Sequence, residues 1–115
     1  MTQSNQLTLI LHVEGLCHKI FDVCLNMPKK VRFSVAQRLE NYCLDLLTSL
    51  YKARYHQAQA LKITLNHADS TLAQLRALCR FAHARQLISH RAFEQLASGL
   101  NETGKMLGGW LKACH

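Results

Sequence analysis

Apolar side chains recur every three to four residues along nearly the whole sequence, which is the spacing that places them on one face of an α-helix. The chain contains a single proline and five glycines, and the stretches between them are rich in leucine and poor in β-branched residues. With 115 residues, of which 49% are hydrophobic, the chain can build one core but not two comfortable domains. We therefore predict an all-α protein whose single domain spans residues 1–115.

The first two helices are predicted from the residues that can begin and end them. Helix one should span residues 5–25 and end before Pro28, because a proline pushes the preceding residue out of helical geometry. Ser34, with Gln37 three residues later, forms a capping box that would start helix two. That helix should fade near Ala60.

The second half of the chain should hold two further helices joined by a tight link. Helix three should span residues 67–85, and Ser89 can cap helix four. Short links make consecutive helices antiparallel neighbours, so an up-down-up-down four-helix bundle is the expected architecture. Gly104 and Gly108 lie along the edge of the core face of helix four, where close approach of a neighbouring backbone would offset their low helix propensity. The predicted core residues of helix four are Phe93, Leu96, Leu100, Leu107 and Leu111.

The chain has more apolar surface than one bundle needs. Helix one carries apolar residues on two opposite sides, and Thr103, Met106, Trp110 and Ala113 lie off the predicted core stripe of helix four. This surplus predicts a homo-oligomer, with coverage by long side chains within one subunit as the alternative. The residues assigned to oligomer contacts or to packing are Tyr51, Tyr55, Gly104, Met106, Gly108 and Trp110.

Positive charge is the clearest indication of a partner. Fourteen Lys and Arg residues stand against seven Asp and Glu, which gives a formal net charge of +7. Such an excess bears on binding partners rather than on fold, and nucleic acid is the leading polyanionic candidate. Three cations have a carboxylate within helical reach and are interpreted as solvated pairs. These pairs are Lys19 with Asp22, Arg91 with Glu94, and Lys105 with Glu102.

The remaining basic residues are candidate contacts to nucleic acid. Arg76 and Arg80 are the most telling, because like charges four residues apart repel and no acid flanks them. Guanidinium groups can grip two phosphate oxygens, so such a surface would bind the backbone rather than read bases. The alternative is pairing between helices or subunits with Asp45, Asp69 or Glu40. The candidates are Lys29, Lys30, Arg32, Arg38, Lys52, Arg54, Arg76, Arg80 and Lys112.

Tyr51 and Tyr55 alternate with basic residues, which is also the pattern of aromatic stacking on unpaired bases. Packing is the favoured interpretation, because tyrosines at helical spacing late in a bundle helix commonly lie at interfaces.

No catalytic or cofactor motif is visible in the sequence. Cys79 and His83 place two metal ligands on one helical turn, but no second pair faces them, and Cys114 with His115 lies at the terminus. Glycine-rich elbows, phosphate loops and paired carboxylates are missing from the chain. We predict a protein without catalytic residues, metal or cofactor.

Cysteine usage and the N-terminal residues indicate a compartment. Five cysteines is an odd number, and Cys17, Cys24, Cys43 and Cys79 lie among apolar residues at helical spacing rather than in loops. The apolar run at residues 7–13 is short and lacks a basic leader. We expect a reduced, cytoplasmic protein with no membrane partner.

Two stretches resemble a known family: MPKKVRFSVAQRLE at residues 27–40 and GKMLGGWLK at residues 104–112. With the Leu-x-x-Leu-Arg pattern at residues 72–76 and the link at residues 87–89, they resemble the accessory variability determinants of diversity-generating retroelements. The resemblance covers nearly the whole chain. Relatives that share both motifs include four-helix-bundle proteins encoded within intervening sequences of large-subunit ribosomal RNA genes.

The resemblance implies a non-enzymatic homopentamer that binds the retroelement reverse transcriptase and template RNA, and possibly DNA, to support mutagenic reverse transcription and homing. The basic candidates would then contact RNA or polymerase. The alternative is an intervening-sequence protein with a structural or RNA-binding role. Seven histidines stand where a strongly basic family would carry Lys or Arg, so nucleic-acid affinity is expected to rise as pH falls towards about 6.

Overall fold

The computed structural model describes residues 1–114, which form four α-helices: α1 (Gln3–Leu25), α2 (Gln37–Ala53), α3 (Ala58–Ala84) and α4 (His90–Ala113). Within these residues there is no β-strand, so the all-α prediction is confirmed. Helix α1 begins two residues before the predicted start and ends at Leu25 as predicted.

The four helices enclose one shared core. Helices α1 and α3 each pack against both α2 and α4, so each helix has two neighbours around the bundle. The bundle measures 43 × 23 × 19 Å. Burial of each large aliphatic side chain contributes about 1.5–3 kcal/mol. The largest fully buried aliphatic residues are Leu9, Ile10, Val13, Ile20, Leu39, Leu46, Leu50, Leu65, Leu75, Leu96 and Leu107.

The connector between α1 and α2 is helical rather than open. A 3₁₀ turn at Lys29–Val31 and a π turn at Arg32–Ala36 lead directly into α2. Ala36 already has helical backbone angles (φ −61°, ψ −48°) and makes no side-chain cap. Ser34 Oγ instead donates to the carbonyl of Val31 at 3.3 Å. The predicted capping box is therefore wrong, because the helix is entered from another helical turn and offers no free N-terminus.

The boundary between α2 and α3 also differs from the prediction. Helix α2 ends at Ala53 rather than near Ala60, and α3 begins nine residues earlier than predicted, at Ala58. Extended backbone at Gln57 (φ −133°, ψ 161°) and left-handed backbone at Ala58 (φ 51°) turn the chain. No proline or glycine lies at this turn, so the usual signal of a break is missing from the sequence. His56 Nδ1 and Thr64 Oγ1, 2.7 Å apart, fasten the turn to α3.

Ser89 caps α4, as predicted. Its backbone is extended (φ −69°, ψ 158°), and its Oγ accepts a hydrogen bond from the amide of Ala92 at 3.1 Å. The tight link before it depends on Gln86, whose left-handed backbone (φ 59°) lets the amide of Leu87 donate to the carbonyl of Ala82 at 2.9 Å. This is the Schellman arrangement that commonly ends helices.

The core face of α4 is centred differently from the prediction. Trp110 and Thr103, assigned to surplus surface, are 2% and 0% exposed, whereas Phe93 and Leu111 are only half-buried. Thr103 is accommodated because its hydroxyl donates to the carbonyl of Gly99 at 2.8 Å, so its buried oxygen has a hydrogen-bond partner. The core itself thus absorbs part of the apolar surplus.

No helix formed by residues 1–114 combines the length and apolar character needed to cross a lipid bilayer.

The two serines give a direct stability test of the helix starts. Replacing Ser89 with Ala should lower the free energy of unfolding by about 1 kcal/mol, because an N-terminal amide loses its acceptor. The matched Ser34→Ala change should stay within about 0.5 kcal/mol, because that hydroxyl caps no helix. Urea denaturation at one protein concentration measures both, and equal losses would contradict the assignment of the two serines.

Candidate functional site

The Lys and Arg side chains of residues 1–114 form no ion pair with an acid of the same part of the chain. Among residues 1–114, no Lys or Arg nitrogen lies within 4.0 Å of a carboxylate oxygen. Both close carboxylate contacts are made by histidines: His67 with Asp45 at 2.9 Å and His90 with Glu94 at 3.3 Å. The three predicted helix pairs do not form in this part of the chain, and neither does pairing between helices of one subunit with Asp45, Asp69 or Glu40. The positive charge is therefore presented to solvent without compensation.

The nine basic candidates do not form one patch. Lys29, Lys30 and Arg32 are exposed on the connector between α1 and α2, and Arg38 is exposed on the first turn of α2. A cavity of about 370 Å³ opens beside this connector, with Lys29 and Arg32 in its lining. The other candidates lie elsewhere: Lys52 and Arg54 at the end of α2, Arg76 and Arg80 on α3, and Lys112 in the last turn of α4.

Arg76 is not a free surface cation. Its side chain is half-buried between α3 and α4, and its Nη2 donates to the carbonyl of Leu100 at 3.0 Å. Its Nε is buried and has no hydrogen-bond partner among the described residues. The prediction of an unpartnered surface contact is therefore corrected, because the acceptor is a main-chain carbonyl on a neighbouring helix. Arg80, one turn later, remains exposed.

Gly104 makes room for the Arg76 guanidinium. A Cβ at this position would collide with Nη2 of Arg76, and it would lie 3.5 Å from Cζ of Arg76 and 3.7 Å from Cδ2 of Leu72. The sequence predicted a close approach of backbone at Gly104, and the structure places a side chain there instead. Gly108, one turn later, has nothing within 4 Å of such a Cβ and is exposed.

A groove runs between α3 and α4 beside Arg76, and we call it the α3–α4 groove. Its cavity has a volume of about 530 Å³, and a smaller cavity of about 80 Å³ adjoins it and extends to Arg80. Arg76 and Asn101 line both cavities, and Lys105 lines the larger one. Three cationic side chains therefore border the groove, against the single carboxylate of Asp69. The sequence analysis did not include Lys105 or Asn101 among the candidate contacts. Lys105 was left out because it was assigned to a local pair with Glu102.

A histidine cluster lies at the link between α3 and α4. His83 Nε2 and His90 Nδ1 are 3.3 Å apart, and the His83 ring stacks on Phe93 with centroids 4.2 Å apart. Among the described residues no group of three His, Cys, Asp or Glu side chains is placed to hold a metal ion. His115, which the sequence paired with Cys114, lies outside the described residues.

The cysteines fill the core. Cys17, Cys24, Cys43 and Cys79 are buried free thiols, and Cys114 is half-buried and free. Burial raises the pKa of Cys24 to about 12 and that of Cys79 to about 11. A hydrogen bond between Cys17 and Cys43 lowers the pKa of Cys17 and raises that of Cys43. The buried thiols pack as small apolar groups, and one of them, Cys79, borders a small cavity between α3 and α4.

The residues assigned to oligomer contacts or packing occupy different environments. Trp110 is 2% exposed within the subunit core and so is not available to a second copy. Tyr55 and Tyr51 are 84% and 40% exposed, Gly108 is exposed and Met106 is half-buried. Further apolar side chains also remain at the surface of the subunit: Leu7, Leu11, Leu25, Phe33, Leu44, Ile63 and Phe81.

Two glycine substitutions test the packing of Arg76. Replacing the exposed Gly109, which has nothing within 4 Å of a Cβ, with Ala should raise the free energy of unfolding by up to about 1 kcal/mol through helix propensity. The Gly104→Ala change carries the same propensity gain but displaces Arg76 from Leu100, so it should be neutral or destabilising. Denaturant unfolding measures the free energy of unfolding of both variants. An equal increase at the two sites would show that the contact between Gly104 and Arg76 does not affect stability.

Comparison with known proteins agrees with this geometry. No curated protein matches the sequence. Among solved structures, a protein of unknown function from the S23 ribosomal protein family of Bacteroides thetaiotaomicron shares the fold, with a TM-score of 0.85 and 13% identity over 94% of this chain and 98% of that one. A family model described as bAvd-like matches residues 7–114, which is nearly the whole chain. The resemblance to accessory variability determinants is thereby confirmed, and the chain belongs to the bAvd-like family.

Proposed function

We propose that the protein is a non-enzymatic accessory factor of a diversity-generating retroelement, which binds the reverse transcriptase and its template RNA or cDNA through its basic surface. Membership of the bAvd-like family supports the accessory-protein kind. In this role the protein supplies charge and a docking platform, and the polymerase performs the covalent chemistry of mutagenic reverse transcription and homing.

The uncompensated charge is the observation that carries this proposal. Within residues 1–114 every Lys and Arg nitrogen is more than 4.0 Å from a carboxylate, although the chain carries seven acids. A polyanion that releases its counterions on binding gains free energy from such a surface, whatever its sequence. Cations spread over the connector, the end of α2 and the α3–α4 groove suit an extended partner rather than a small ligand.

An antiparallel up-down-up-down topology and a homopentameric assembly belong to the same proposal. The links between α2 and α3 and between α3 and α4 are each a short turn, at residues 54–57 and 85–89, which favours antiparallel neighbours. Exposed apolar side chains such as Tyr55 and Phe33, 84% and 81% exposed, favour contacts with further copies or with the polymerase.

The second candidate is a four-helix bundle protein of a ribosomal RNA intervening sequence, with a structural or RNA-binding role. The likeness to a protein from the S23 ribosomal protein family favours it at the level of fold alone. Genomic context separates the two, because a neighbouring reverse-transcriptase gene with paired template and variable repeats accompanies only the first.

Co-purification with the reverse transcriptase encoded beside this chain tests the proposal. The tagged polymerase should retain the wild-type protein, with more retained when template RNA is present. The double change Lys29→Glu with Lys30→Glu should reduce retention at least about tenfold, because two phosphate or carboxylate contacts become repulsive.

The matched control is Lys19→Glu with Arg91→Glu, which changes the net charge equally at two other exposed cations. The control should retain most of the binding. Equal losses in the two variants would contradict a contact at the connector, and no retention of the wild-type protein would favour the intervening-sequence candidate.

A further inference from the structure

We propose that the α3–α4 groove is a phosphate-binding site, formed by Arg76, Arg80, Lys105 and Asn101. This inference deepens the proposed function, on which it rests for its natural ligand, because it states where the phosphodiester backbone of the RNA lies. The same chemistry would accept a free phosphate, and the experiment below separates the two sources.

The groove is lined by more cationic donors than anionic acceptors. Arg76 and Asn101 line both of its adjoining cavities, Arg80 lines the smaller and Lys105 the larger. None of the three cations has a carboxylate oxygen within 4.0 Å among residues 1–114. Asp69 in the lining, and Glu94 and Glu102 beside Lys105 in a neighbouring cavity, offset their positive charge only in part, and an anion seated in the groove would offset it further.

Arg76 is held in place before any ligand arrives. Its Nη2 donates to the carbonyl of Leu100 at 3.0 Å, and the missing side chain of Gly104 provides the space that the guanidinium occupies. Its buried Nε has no partner among the described residues. A cation fixed in this way loses little side-chain entropy on binding, which is the advantage of a preorganised site.

The arrangement favours phosphate over carboxylate. Two guanidinium groups, an ammonium group and an amide line the two adjoining cavities, so the groove offers several donors to an anion with three or more acceptor oxygens. A carboxylate has only two oxygens and leaves part of this donor set unused. Asp69 lines the larger cavity seven residues before Arg76, so its charge directs the anion towards the Arg80 end.

The test uses the full chain with three probes: inorganic phosphate, a single-stranded RNA of about twelve nucleotides, and a peptide nucleic acid of the same bases without phosphates. Fluorescence anisotropy measures affinity for the two oligomers, and amide NMR shifts of Asn101 and Gly104 report occupancy of the groove. The variants are Arg80→Ala with Lys105→Ala, and Asp69→Asn. The control, Lys19→Ala with Arg91→Ala, removes two exposed cations outside the groove.

The expected result is RNA binding that shifts both amides, weakens at least about tenfold in the Arg80 and Lys105 variant, and strengthens in Asp69→Asn. Peptide nucleic acid should not shift these amides, because it lacks phosphates. Shifts with inorganic phosphate but no RNA binding would keep the site and contradict the proposed function.

Other results overturn the site itself. RNA affinity that falls as much in the Lys19 and Arg91 control as in the groove variant would leave the proposed function standing and contradict a site at the groove. If the groove variant keeps its RNA affinity but no longer co-purifies with the reverse transcriptase, the groove binds the polymerase instead of RNA. If neither inorganic phosphate nor RNA shifts the amides of Asn101 and Gly104, the proposed phosphate site is also contradicted.

Discussion

The cost of removing charge from water determines where each part of this small bundle lies. Four helices share one core, and that core takes up leucines, four cysteines and Trp110 while excluding every acid and nearly every base. The chain carries fourteen Lys and Arg but only seven Asp and Glu, so the acids are too few to pair with every base. The fold therefore presents a positively charged surface. Its Lys and Arg side chains form no ion pairs within residues 1–114 and can bind an anionic partner.

Arg76 is drawn into the packing, and it shows how a helix interface can hold a cation. The carbonyl of Leu100 accepts one of its protons, and Gly104 supplies the volume that the guanidinium fills. A glycine in the middle of a helix costs about 1 kcal/mol in helix propensity. The presence of Gly104 is explained because a larger residue would displace the Arg76 guanidinium. The same contact gives the α3–α4 groove a cation of fixed position beside the exposed Arg80 and Lys105.

Sequence reasoning succeeded where a local signal determines structure. Pro28 and Ser89 marked their helix boundaries correctly, because each acts on the backbone within one turn. Ser34 misled because a π turn already carried the chain into α2. The turn at residues 54–57 escaped notice because it contains neither proline nor glycine, and its left-handed residue is Ala58.

The candidate site was predicted only in part, for a similar reason. Uneven charge identified Arg76 and Arg80, but spacing along one helix cannot show an acceptor on another, so the bond from Arg76 to Leu100 was missed. Lys105 was set aside as a partner of Glu102, a contact that the folded helix does not make. At the end of α4 the sequence analysis placed Leu111 on the core face, whereas the buried residue is its neighbour Trp110.

The basic surface of this protein is proposed to bind the phosphates of nucleic acid, because its Lys and Arg side chains are not neutralised by acids of the same subunit. The most direct measurement is the affinity for single-stranded RNA as a function of salt concentration at fixed pH. Each phosphate neutralised contributes about −0.7 to the slope of log K against log salt. The account predicts a slope of about −2 or steeper, equivalent to three or more phosphate contacts. A slope near zero, or no binding at low salt, would contradict it.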